Sequence, residues 1–495
     1  MPDSIKSLAR HTAVYGVGDL LGRAVTFLLV PLYARMLSAG DNGVLALAYA
    51  FIGFTTVVYS LGLNQALIRY LSAETDEGLR RARFSSAFWT LFAVAALFSA
   101  AMWVGADVLS RRILGSADYS EIFRLLAAIV LLDSLAEPLF TLCRAQQRSA
   151  TYATIKFVQH SVQMGLTIYL IAGVGVGVRA VFWGNLVSSG FAFVALFPFG
   201  ISHLRLAYSP GRMRELLAFG IPFVPSALAA MVINLSDRFL VKFFLGLEMA
   251  GVYGIVCKLG LPMLLVVRAF RSAWAPALLS LTDSDEGRRL SAQIATYFCL
   301  GGVFLFLGMT AFSSELIQLV SGENVAIYLE GQQVIPLVTL GFLFYGIYVI
   351  FTGGVYVESW TRMLPGIVSA GAATNVVLNV ILIPRIGIIG AAWGTVAAYA
   401  LMAAALYLST RRFYRVAYER GRLLKIGFVG LVLFVAITTF VRESTAEGVV
   451  ARGLLLLGYP LILWGWNFFE PREWERMRAI VGLRVDRETG AGREP

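Results

Sequence analysis

The feature that most constrains this chain is a succession of apolar runs, each roughly 20 residues long, with charge concentrated in the short segments between them. A helix rises about 1.5 Å per residue and the hydrocarbon core of a bilayer is about 30 Å thick, so one such run suffices for one crossing. About fourteen runs qualify, at 11–36, 43–64, 84–107, 121–142, 151–173, 178–199, 216–241, 249–271, 290–312, 331–355, 364–383, 387–409, 423–441 and 450–469. Composition agrees, since 14% charged residues over 495 positions is far below the roughly 25% of a soluble domain. A membrane β-barrel needs short alternating strands, whereas these runs are long and continuously apolar. The expected class is an all-α polytopic membrane protein of about 14 transmembrane helices. The first run begins near His11, has no small-residue cleavage site behind a short core and contains Asp19 and Arg23. It reads as a retained helix and not as a signal peptide.

A net charge of +11 would suggest nucleic acid in a soluble protein, but here Lys and Arg set topology. With a cytoplasmic N terminus, the even-numbered connections and both tails hold about 28 basic residues and the odd-numbered ones about 8. An even number of spans then predicts a multi-pass protein of the inner (plasma) membrane with both termini cytoplasmic, and no nucleic-acid partner. RRFYRVAYERGRLLK (411–425) faces the cytoplasm, and SSELIQLVSGENVAIYLEG (313–331), which has no Lys or Arg, faces outward. The tail 471–495 reads as a stop-transfer anchor with a solvated end, the alternative being a basic amphipathic helix on anionic lipid. Cys143, Cys257 and Cys299 lack metal-ligand spacing, and His11, His160 and His203 do not cluster. No metal site, cofactor or disulfide framework is expected.

The chain repeats itself. RMLSAGDNGVLALAYAF, from Arg35, resembles KFFLGLEMAGVYGIVCKL, from Lys242, and aligns Asp41 with Glu248 and Gly43 with Gly251. The same displacement of about 207 brings Gly115 onto Gly322, and one of 210 brings Trp183 and Gly184 onto Trp393 and Gly394. An even number of spans per repeat implies two halves of like orientation, related by an axis along the membrane normal, with the lumen between them. The expected organisation is an N-lobe at 1–205 (helices 1–6), a C-lobe at 206–415 (helices 7–12), helices 13 and 14 at 416–470 and a tail at 471–495.

Ionisable groups inside a span cost about 2.5–3.5 kcal/mol each, so those present should face a wet cavity or a partner. Arg23, Arg124, Lys156, Arg238 and Lys258 fall well inside the runs, as do Asp19, Glu121, Asp133, Glu137 and Asp237. Asp19 and Arg23 are four apart and can pair along one helix face; Glu121 and Arg124, three apart near a boundary, should pair with each other. Asp237 and Arg238 are adjacent, about 100° apart around a helix, and should each need another partner. Arg238 and Lys258 lack an opposite charge three or four residues away and are candidates to face the lumen. Asp133 and Glu137, one turn apart, suit proton or cation coupling or else pair with Arg144 or Lys156. GVGVGVRA (173–180) links two spans and reads as a tight turn, not a phosphate loop. A diphosphate about 6 Å from each of two cations gains roughly 3 kcal/mol per unit charge pair at an effective dielectric of 20, so an anionic headgroup can offset the burial of these cations.

LLGRAVTFLLVPLYARMLSAGDNGVLALAYAFIGFTTVVYSLGLNQALIRYLS resembles the first two helices of the polysaccharide transporter (oligosaccharide flippase) family, within the multidrug/oligosaccharidyl-lipid/polysaccharide exporter superfamily. SDRFLVKFFLGLEMAGVYGIVCKLG (236–260) resembles that family's junction between helices 7 and 8. The resemblance implies two six-helix lobes that move a polyprenyl-diphosphate-linked saccharide (an O-antigen, capsule or exopolysaccharide repeat unit) from the cytoplasmic to the outer leaflet by alternating access. It also implies a cationic cavity, onto which Arg23, Arg238 and Lys258 map, and Lys156 is a further candidate from its place inside a run. Asp237 fits the family's acidic-basic pair. A proton or sodium gradient is the candidate driving force, with Asp133, Glu137 and Asp237 as candidate coupling sites. The expected partners are the lipid-linked saccharide, the bilayer, and the polymerase and glycosyltransferases of the same pathway. The rivals are a multidrug-type cation antiporter, a peptidoglycan lipid-precursor flippase, an enzyme of the same pathway, which should show a large outward loop, and a non-transporting membrane scaffold. The longest outward loop, of about 18 residues, argues against the enzyme.

Overall fold

The computed structural model describes residues 27–280, 285–357, 360–440 and 445–469, so Arg23, Asp19 and the tail 471–495 lie outside the described residues. One compact unit comprises the described residues up to Ser291 together with those of Ser313–Val416; Ala292–Phe312 and the described residues from Ala417 onward form a second. Among the described residues, twelve helices are long and apolar enough to cross a membrane, and a thirteenth crossing exists if one bent pair is a single span. The multi-helix membrane architecture expected from hydropathy is therefore present.

The first half of the larger unit contains α1 (Val30–Met36), α2 (Ala39–Ser60), α3 (Leu63–Ala73), α4 (Glu77–Val104), α5 (Ala106–Ile113), α6 (Ser120–Ala145), α7 (Ser149–Ile168) and α8 (Arg179–Ile201). After α9 (Pro210–Gly220), the second half continues with α10 (Val224–Leu245), α11 (Leu247–Leu259), α12 (Leu261–Ser280) and α13 (Asp285–Ala311), the last of which runs on into the smaller unit. The larger unit resumes with α14 (Ser313–Ser321), α15 (Val325–Leu329), α16 (Val334–Val357), α17 (Leu364–Ile386) and α18 (Ile388–Thr410). Local chemistry accounts for the boundaries. Ser38 caps α2, its Oγ accepting from the Asp41 N–H at 3.0 Å while the Asp41 carboxylate accepts in return from the Ser38 N–H. Asp41, one of the repeat-matched residues, is thus a capping group. Gly260 and Pro262 separate α11 from α12, which bend by 47° there, because a proline removes one N–H and crowds the preceding turn. In GVGVGVRA, Gly175 and Gly177 take positive φ and close the expected tight turn.

The repeat is realised as packing. α8 packs on α6 and α7 in the first half, and α18 on α16 and α17 in the second. The aligned glycines are points of close approach: a Cβ on Gly184 would lie 2.5 Å from Thr167 Oγ1, and one on Gly394 would overlap the Asn379 side chain. Across the halves, a Cβ on Gly43 would overlap the Leu247 carbonyl and one on Gly251 would overlap the Ala39 carbonyl. These two contacts exchange under the repeat displacement, as expected for two like halves meeting at a pseudo-two-fold axis. Arg35 follows the same rule: its Nη2 and Nε donate to the Leu319 and Val320 carbonyls of α14, 2.5 and 3.2 Å away, next to Gly322. Its repeat mate Lys242 places Nζ beside Gly115. At the far end of α2 the halves meet again, where Gly62, in the left-handed region, abuts the Gly220 backbone.

The smaller unit packs Leu307 and Ala311 against α19 (Arg420–Phe440) and α20 (Ala446–Gly465) through Val429, Leu433, Tyr459 and Leu463. Arg452, which is buried, donates through Nη1 to the Ala311 carbonyl at 2.7 Å and so caps the C-terminal end of α13.

Candidate functional site

Each half of the larger unit encloses a cavity. In the second half a cavity of about 450 Å³ is lined by Asn234 of α10, Arg268, Arg271 and Trp274 of α12, tyrosines of α16 and Tyr399 of α18. Among the described residues its lining has two guanidinium groups and no carboxylate. Arg271 Nη1 donates to the Tyr345 hydroxyl at 3.4 Å, and the Tyr345 ring lies 5.1 Å from Tyr399 and 6.2 Å from Tyr348, centroid to centroid. Such a wall offers charge to an anion and flat π-faces to a ring. Sequence reasoning missed Arg268 and Arg271 because the eighth run was closed at 271. The helix instead restarts at Leu261 and continues to Ser280, placing both arginines near its middle. The apolar residues that follow them, Ala273, Trp274, Ala275 and Pro276, were the signal that the run had not ended.

The cavity of the first half, about 340 Å³, brings together three residues singled out from sequence: Asp133, Glu137 and Lys156. Gln159, His160 and Gln163 of α7, Asn185 of α8 and Asn64 of α3 complete a polar wall. Glu137 accepts from Arg144 Nη2 at 3.1 Å, the pairing anticipated as the alternative to ion coupling. The Lys156 ammonium sits 3.9 Å from the Phe140 ring centroid, a cation–π contact. Gln163 donates to the Tyr49 hydroxyl at 3.4 Å, whereas the buried Gln159 Oε1 has no donor within reach.

Between α10 and α11 lies a third polar cluster. Asp237, only 4% exposed, accepts from the Tyr253 hydroxyl at 2.7 Å, from the Arg238 N–H at 2.9 Å and from Arg238 Nη1 at 3.0 Å. The expectation that adjacent Asp237 and Arg238 cannot meet is therefore corrected. The 100° separation constrains Cβ positions, but the long arginine side chain folds back one turn to the Asn234 carbonyl, and on that path its guanidinium reaches the carboxylate. Asn234 links this cluster to the second-half cavity, since its Oδ1 accepts from the Tyr399 hydroxyl at 3.1 Å. Lys258 lies within electrostatic reach of Arg238, with its ammonium 5.2 Å from the Tyr33 ring centroid. Nearby, Ser236, Asn375, Asn379 and Thr395 form a hydrogen-bonded seam that carries no charge, so a search for ionisable groups passes over it. Glu121 and Arg124, expected to pair with each other, turn instead to Arg179 and Asp107, each at 3.2 Å. Flanking helices supply better-placed partners than the i, i+3 neighbour. Among the described residues no group of three or more His, Cys, Asp or Glu could hold a metal ion.

Residues 32–329 match the model of the family described as "Polysaccharide biosynthesis protein". The chain belongs to that family. It is 22% identical over 271 residues to the "Succinoglycan biosynthesis transport protein ExoT" of Rhizobium meliloti (strain 1021), a match that spans 54% of this chain and 53% of that protein. It is 21% identical over 410 residues to the "Probable low-salt glycan biosynthesis flippase Agl15" of Haloferax volcanii, covering 80% of this chain and 81% of that one. In fold it is similar to the lipid II flippase MurJ in an inward closed conformation, with a TM-score of 0.71 at 15% identity over 91% of this chain and 97% of that structure. The protein is thus a multi-pass membrane member of the polysaccharide biosynthesis family with an all-helical transporter fold.

Proposed function

We propose that this protein is a flippase that carries a polyprenyl-diphosphate-linked oligosaccharide across the plasma membrane. The observation that carries the reading is the second-half cavity, whose lining among the described residues has two arginines, an aromatic wall and no carboxylate, and which Asn234 links to Arg238. A cationic drug would be repelled by that lining, whereas a diphosphate is matched by it. The distribution of Lys and Arg supports cytoplasmic termini, which makes the Gly43/Gly251 crossing the outer closure and the Gly62/Gly220 contact the inner one. Alternating access then requires these two contacts to part in turn. In this scheme Arg238 and Lys258 meet the diphosphate, together with Arg23. Asp237 is the proposed coupling group, because an ion or proton bound by its carboxylate competes directly with Arg238 and frees that guanidinium for substrate.

The test is translocation of a fluorescent polyprenyl-diphosphate oligosaccharide in proteoliposomes. Wild type should move it, and the Arg268→Ala, Arg271→Ala double variant should be slowed by at least about 100-fold, from the loss of two charge-assisted contacts. Normal transport by that variant at normal membrane abundance would remove the cavity from the mechanism. Failure of wild type, with export of a cationic dye against a proton or sodium gradient, would replace the flippase with an antiporter.

A further inference from the structure

The two cavities share three corresponding helices, α6, α7 and α8 in one and α16, α17 and α18 in the other, but differ in charge. In the second half the lining is cationic. In the first half Asp133 and Glu137 face Lys156, and Arg144 from outside the lining binds Glu137, so the formal charges of that neighbourhood cancel. The remaining polar groups are side-chain amides, hydroxyls and an imidazole, among them Asn64, Asn185, Gln159, Gln163, Tyr59 and His160. Planar amides and carboxylates present paired donors and acceptors, which is the chemistry that reads vicinal hydroxyl groups. A bare cation is a poor occupant, because the Lys156 ammonium lines the same cavity and Arg144 already binds Glu137. An anion is a poor one too, because Asp133 and Glu137 share the wall. Gln159 Oε1 accepts no hydrogen bond from the protein and is covered as the side chain stands, so a hydroxyl in the cavity reaches it once the side chain turns.

We infer that the first-half cavity is a recognition subsite for the uncharged sugar residues of the substrate, separate from the diphosphate site of the second half. This rests on the flippase reading. The two halves thereby divide an amphiphilic headgroup: charge goes to the arginine cavity, hydroxyls to the amide cavity. Selection among saccharides follows from the first half, while the requirement for a diphosphate follows from the second. Asp133, Glu137 and Lys156 act here as hydroxyl-binding groups.

The experiment compares two fluorescent carriers in proteoliposomes, a polyprenyl diphosphate bearing one hexose and the same lipid bearing a tetrasaccharide. Gln159→Leu and Asn185→Leu are each measured against wild type, with thermal unfolding in detergent confirming that the protein is folded. Each loses one hydrogen bond to a hydroxyl, so the rate for the tetrasaccharide relative to the single hexose should fall about tenfold. If one variant fails to fold, the other is decisive alone, and Gln163→Leu replaces it as the second measurement. An unchanged ratio, with both carriers slowed equally or not at all, overturns the sugar subsite and leaves the flippase reading intact. If wild type moves neither carrier, the flippase reading falls and takes this inference with it.

Discussion

Replacing Gly251 with Ala adds one carbon at the place where α2 and α11 cross. That carbon would overlap the Ala39 carbonyl oxygen and lie 2.6 Å from the Gly43 nitrogen. Carbon and its heavy-atom neighbours settle near 3.5–4.0 Å, so the two backbones must part by about 1 Å. Both blocking atoms belong to backbone, which cannot swing aside as a side-chain tip can. Forced overpacking of this kind costs about 1–3 kcal/mol. Charged against the closed arrangement alone, it shifts the population of this closure by about 5- to 150-fold. A disulfide reads that population. Carbons at Ala46 and Gly254 would be 3.0 Å apart, close enough for Ala46→Cys and Gly254→Cys to bridge α2 and α11 after a small adjustment. In a background with Cys143, Cys257 and Cys299 replaced by Ala, mild oxidation should cross-link this pair quickly, and adding Gly251→Ala should slow the reaction at least about fivefold. The bridged protein should also stop transporting until it is reduced. Cross-linking at an unchanged rate with Ala at 251 would refute the claim that this backbone contact holds the closure.

Other consequences are open to direct measurement. Asp237→Ala leaves Arg238 and Tyr253 without their shared acceptor in a buried position and should lower stability by about 3 kcal/mol in detergent unfolding; an unchanged transition would show that the cluster is solvated. Gly394→Ala drives a carbon into the Asn379 side chain and should cost about 1–3 kcal/mol, whereas Gly453→Ala, with open space around it, should be silent in the same assay. Arg452→Met removes the donor to the Ala311 carbonyl and should lower stability by about 1–3 kcal/mol, chiefly by leaving a buried acceptor unmet, as thermal unfolding would reveal. Reporter tags on either terminus should give a cytoplasmic signal; a periplasmic signal from the C terminus alone would mean an odd number of spans.

Span lengths, the helical class and the internal repeat were legible in the sequence because each rests on near-local chemistry. A run of apolar residues must satisfy its own backbone in lipid, and a duplicated half leaves its glycines in register. Gly43, Gly251, Gly184 and Gly394 stood out in the chain, and all four are positions where helices touch. Grouping was another matter. Asp133, Glu137 and Lys156 were visible one by one, yet only the packing of α6, α7 and α8 placed them in one cavity with Asn64, Gln159, Gln163 and Asn185, uncharged residues that no charge-based search selects. The arginine cavity escaped notice because the eighth run was closed at Arg271, whereas the helix continues to Ser280 and places Arg268 and Arg271 near its middle. Partner choice also belonged to the tertiary structure. Glu121, Arg124, Asp237 and Arg238 each have several partners within reach along the chain, and which one wins depends on which neighbouring helix brings its donor or acceptor closest. Sequence alone therefore determined that this chain lies in the membrane as two related halves, since hydrophobic length and repetition are written in order along it. The charge difference between the two cavities was decided only in three dimensions, because a cavity is a property of side chains that meet across helices far apart in the chain.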